Sequence, residues 1–93
     1  MESSREEPKL LNKPIEIKDI LYMTIISLES KAWAYLDLVA HPETQKHHKD
    51  TGEAQTAIDA IDALYRIIEP KLDPEEKKEI QVRLTNLRLN FAK

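Results

Sequence analysis

Residues 17–42 read IKDILYMTIISLESKAWAYLDLVAHP, and this stretch decides the fold. Its residues Ile17, Leu21, Ile25, Leu28, Ala32, Tyr35, Leu36 and Val39 recur three and four positions apart. That spacing stacks side chains on one face of an α-helix. Neither glycine nor proline interrupts the run. Pro42 closes it, because a proline ring disfavours helical backbone at the residue before it, His41. The pattern predicts a first helix over about 17–40.

C-terminal to this stretch, residues 41–50 hold no apolar side chain except Pro42 and read as a loop. Asp50 followed by Glu53 has the form of a capping box. A second helix is predicted over about 52–68, with Ala54, Ala57, Ile58, Ile61, Leu64, Tyr65 and Ile68 on one face and Asp59, Asp62 and Arg66 on the other. Pro70 ends it. Asp73-Pro74-Glu75-Glu76 then restarts helix: a capping aspartate, proline at the first helical position and acidic residues in the first turn. A third helix is predicted over about 74–91, its core stripe Ile80, Leu84, Leu87 and Phe91. No segment alternates as a strand does, and there are no internal repeats.

Three helices on short connections predict an all-α fold, a small antiparallel three-helix bundle spanning residues 15–93. Residues 1–14 are polar and broken by Pro8 and Pro14, and read as a flexible N-terminal tail that buries too little apolar surface to offset its ordering entropy. Leu10, Leu11 and Ile15 are the exception and could dock as a short extended arm.

Ninety-three residues suffice for one modest core. Cysteine is absent, which excludes disulfides, thiolate metal sites and cysteine nucleophiles. No apolar run reaches membrane-spanning length and no signal-peptide pattern opens the chain, so a cytoplasmic protein without a membrane partner is expected. The net charge of -3 disfavours strong binding to nucleic acid, because phosphate neutralisation supplies most of that affinity. One glycine, no cysteine and plentiful Ile, Leu, Glu and Lys resemble the bias of proteins from heat-loving organisms.

The first helix carries a second apolar set. Tyr22, Ile26 and Trp33 fall within about 40° of one another and well away from the first stripe. On the third helix Val82 and Leu89 lie opposite Ile80, Leu84 and Leu87. Two accounts stand open. Either the first helix is central and covered on both sides, or Tyr22, Ile26, Trp33, Val82 and Leu89 bind a partner, as aromatic residues do at interface centres.

Catalytic patterns are missing. There is no phosphate-binding loop, dinucleotide fingerprint or Ser/His/Asp arrangement, and nothing implies a cofactor. His41, His47 and His48, with Glu43 and Asp50, are zinc-compatible residue types, but their spacing does not suit a metal site, and solvated loop histidines are expected. Lys46, His47, His48 and Lys49 form a small basic cluster that could touch nucleic-acid phosphate. Asp59, Asp62 and Arg66 read as an exposed, charge-paired helix face.

Ile26-Ser27-Leu28 with Ala32, Pro42-Glu43-Thr44, Ala54, Ile58-Asp59, Leu72-Asp73-Pro74-Glu75-Glu76 and Leu87-Arg88 together resemble a family of short prokaryotic proteins, the domain of unknown function 1844. Pro70-Lys71 replace the Gly-Asn turn usual before its third helix, and Gln45 replaces a glycine in its first loop. The resemblance implies a small helical domain and brings no activity.

The function expected is therefore non-catalytic: a protein–protein interaction module, an accessory subunit or adaptor whose partner is a larger subunit or a further copy of the chain. The alternative is a small accessory subunit of a nucleic-acid machine, such as an archaeal replicative DNA polymerase, with only weak or indirect nucleic-acid contact. A metal-binding domain using the loop histidines is a minor alternative.

Overall fold

The uninterrupted periodicity after Glu16 forms helix as predicted, but the helix closes earlier than Pro42 would dictate. In the computed structural model, which describes residue 10 and residues 12–93, α1 runs Ile17–Tyr35. Asp37 takes φ 68, in the left-handed region. Its amide donates to the Ala34 carbonyl at 2.9 Å, and the Leu38 amide donates to the Trp33 carbonyl at 3.1 Å. These two bonds satisfy the Ala34 and Trp33 carbonyls and turn the chain out of the helix, an ending usually built on glycine. The expected extension to residue 40 is thereby corrected: Val39 lies beyond the helix and is exposed rather than in the core stripe.

α2 spans Thr51–Ile68. Asp50 caps it by accepting from the Glu53 amide at 3.1 Å. The returning half of the expected capping box is absent, because the Asp50 amide donates instead to the Tyr35 carbonyl at 3.0 Å and so ties the start of α2 to the end of α1. A 3-10 turn, Glu69–Lys71, contains Pro70 and leads to α3, Pro74–Phe91. Here the box is complete: the Glu76 amide donates to Asp73 at 2.8 Å, and the Asp73 amide to Glu76 at 3.1 Å.

Cross-helix contacts give the directions. Tyr22 and Glu29 of α1 meet Glu79 and Arg83 of α3 in the same order, whereas Tyr65 and Asp62 of α2 meet Gln81 and Arg88 in reverse order. The bundle runs up, down, up. α1 and α2 pack most extensively, and Ala32, Ala54 and Ala57 are buried there, which lets two helices approach closely. Ile25, Ile58, Ile61, Ile68, Leu72, Ile80, Leu84 and Leu87 complete the core. The Cα atoms extend over 51 × 36 × 18 Å, so the bundle is about two helix diameters thick. Leu10 and Ile15 are both exposed and do not dock as an arm; Leu11 and the rest of the expected tail, residues 1–9, lie outside the described residues.

Candidate functional site

The side of α1 that carries Tyr22 and Trp33 is a seam with α3. Both rings are half-buried and pack on the core. The Tyr22 hydroxyl donates to Glu79 at 2.5 Å, and Arg83 donates to Glu79 at 3.0 Å. Arg83 also pairs with Glu29, which accepts from the Trp33 indole N–H at 3.2 Å. Burial, together with the nearby Glu79 carboxylate, pushes the Tyr22 hydroxyl up to about 12. The same bond from Tyr22, then Arg83, holds Glu79 below the usual carboxylate range. Each shift describes one arrangement: a neutral phenol donating to an ionised carboxylate. Tyr22 and Trp33, expected at a partner surface, thus lie half-buried against α3, with only part of each ring exposed. α3 lies over that side of α1, where Glu29 and Arg83 bridge the two helices, and a charge pair of opposite helices is not visible as a face of either. Ile26 is half-buried on the same side.

The loop after α1 builds a second cluster. His41, expected to be solvated, is buried. Its Nδ1 lies 2.7 Å from Lys31 Nζ, and its Nε2 lies 2.9 Å from the His48 carbonyl. An ammonium only donates and a carbonyl only accepts, so these contacts suit a ring whose Nδ1 accepts and whose Nε2–H donates. Lys31 also reaches Glu43 at 2.6 Å and sits 5.0 Å from the centre of the Tyr35 ring, which meets His41 edge-on at 4.4 Å. The Lys31 contact holds Glu43 below the carboxylate range. A cavity of about 150 Å³ lies among Lys31, Tyr35, His41, Glu43, Thr44 and His48. His47 turns away and pairs with Asp37 at 3.0 Å. Among the described residues no group of three or more His, Asp or Glu is placed to hold a metal ion. Lys46 and Lys49 are exposed, with Asp37, Glu43 and Asp50 in the same loop.

This loop also bears the departure noted in the sequence. Gln45 takes φ 60, a conformation that favours glycine, and glycine is what the resembling family places there. A profile of the family described as Domain of unknown function (DUF1844) matches residues 18–93. The chain belongs to this family. No curated protein and no solved structure matches the chain significantly. The DUF1844 match begins within α1 and runs through all three helices, so the bundle itself is the family's domain.

Among the exposed apolar residues of the described DUF1844 bundle, one strip lies on α3 and another on α1. On α3, Val82 and Leu89 are 49% and 61% exposed and lie opposite the buried Ile80, Leu84 and Leu87, as the sequence placed them. Thr85 and Asn86 lie between them, and a shallow, open depression of about 630 Å³ lies beside Val82 among Glu75, Lys78, Glu79 and Arg83. On α1, Ile20 and Met23 are 46% and 69% exposed, a strip that periodicity alone did not single out. The available signal was charge: residues 20–28, ILYMTIISL, include none. On α2, Asp62 pairs with Arg66 at 2.8 Å and approaches Arg88 at 3.5 Å, while Asp59 accepts from Gln55 at 2.7 Å. Among the described residues no helix is long and apolar enough to cross a membrane.

Proposed function

We propose that this protein is a non-catalytic interaction module, an accessory subunit or adaptor that docks a larger protein through α3. The exposed Val82–Leu89 strip supports this reading. Two apolar residues seven positions apart, with only the uncharged Thr85 and Asn86 between them, offer a partner helix a continuous row of contacts. The open surface beside Val82, lined by Glu75, Lys78, Glu79 and Arg83, would give that strip a charged rim toward the start of α3.

The test is capture from the native organism of tagged wild-type protein beside a Val82→Glu/Leu89→Glu variant. Both positions are exposed, so the variant should keep its helical circular dichroism and thermal midpoint. A defined partner that the wild type retains and the variant loses is the expected outcome. Should that partner be a polymerase or primase, the module belongs to a nucleic-acid machine. Equal recovery of the same partners by both proteins would refute docking through this strip.

A further inference from the structure

The α1 strip is a separate surface from the one just described, and its chemistry differs. From Ile20 to Ser30 the outward positions are Ile20, Met23, Thr24, Ser27 and Ser30, all exposed and all uncharged. The Thr24 hydroxyl donates to the Ile20 carbonyl at 2.9 Å, so its polar atom is satisfied within the helix and adds little polarity outside. The one charge in this stretch, Glu29, faces the α3 seam. A helix that is apolar nearly all round is normally covered on every side. Here α2 and α3 cover two sides and leave this one open.

We infer that a second copy of this chain covers it, with the two α1 helices antiparallel about a two-fold axis level with Ile25. Two observations select this occupant. The first is shape. Large residues, Ile20 and Met23, occupy the N-terminal half of the strip, and small ones, Ser27 and Ser30, the C-terminal half. The two pairs are symmetric about position 25, so an antiparallel copy sets Ile20 against Ser30 and Met23 against Ser27. Each large side chain then meets a small one at both ends, the self-complementarity that a two-fold interface requires. The second is charge. The chain carries a net charge of -3, and two copies repel each other most weakly where no charged groups are apposed, which is this face.

Sedimentation equilibrium on the full chain, from micromolar to several hundred micromolar, tests self-association directly. Wild-type protein should show a reversible monomer–dimer equilibrium within that range. Met23→Glu should weaken it at least tenfold without lowering the thermal midpoint, and Val82→Glu should leave it unchanged, which separates this interface from the α3 strip. Because the chain has no cysteine, single-cysteine variants can report geometry cleanly. Mixing Met23→Cys with Ser27→Cys under mild oxidation should yield the mixed disulfide dimer in excess of either homodimer, since only the antiparallel pairing brings those two positions face to face. A monomer at every concentration, a dimer indifferent to Met23→Glu, or homodimers in excess of the mixed product would each overturn the proposal.

Discussion

Arg83→Met isolates the bridge that binds α3 to α1. Methionine keeps most of the aliphatic stem and removes the guanidinium. Glu29 would lose its countercharge and retain only the indole N–H of Trp33, while Glu79 would lose one of its two partners. The side chains of Glu29 and Arg83 are 13% and 32% exposed, so this pair lies between two measured limits. Exposed pairs contribute about 0–1 kcal/mol. Removing one member of a fully buried pair costs about 3–5 kcal/mol, because the other charge is left uncompensated. Water still reaches Arg83, which places the expected cost at about 2 kcal/mol. In a domain this small that is a large share of the total stability and should lower the thermal midpoint by about 8–16 °C. Urea titration followed by circular dichroism, with Trp33 fluorescence as a second probe in the seam, measures it. Glu29→Leu in the Arg83→Met background should recover most of the loss, since the stranded charge is then gone. A single variant costing under about 0.5 kcal/mol would refute the argument by showing a bridge fully screened by solvent. So would a double variant less stable than the single.

Three further outcomes are expected. Trp33→Ala should reduce stability by about 2–3 kcal/mol in the isolated protein, because the ring packs on the core at the seam; an unchanged unfolding midpoint would return Trp33 to the surface. Tyr22 has its proton held from an ordinary value of 10 up to about 12, so its contribution to stability is complete below pH 10 and lost as pH rises toward 12. Unfolding measured across that range should show the decline in wild type and a flatter profile in Tyr22→Phe. Gln45→Gly should raise stability by about 0.5–1 kcal/mol by relieving the left-handed backbone, even though the exposed bond from Gln45 to the Pro42 carbonyl is lost, and chemical denaturation of the two proteins side by side decides it.

Helix existence, helix number and most of the core followed from periodicity, because spacing of apolar residues is a one-dimensional property of each segment. The limits of α3 followed as well, since Pro74 and the Asp73–Glu76 box act within a single turn. The end of α1 did not. Asp37 in a left-handed conformation performs what glycine usually signals, and no residue type announced it. His41 was equally opaque: its burial depends on Lys31, ten residues back, and on the carbonyl of His48, brought together only when the loop folds over Tyr35. The apolar surplus on α1 was legible, but its destination was not. Tyr22 and Trp33 became a seam because α3 crosses there and Arg83 finds Glu29, a pairing across 54 positions that no local pattern encodes. Ile20 and Met23 were left outside for the same reason, since two helices can cover only two sides of a third. The sequence alone determined which residues prefer to leave water; the packing of three helices decided which of them do.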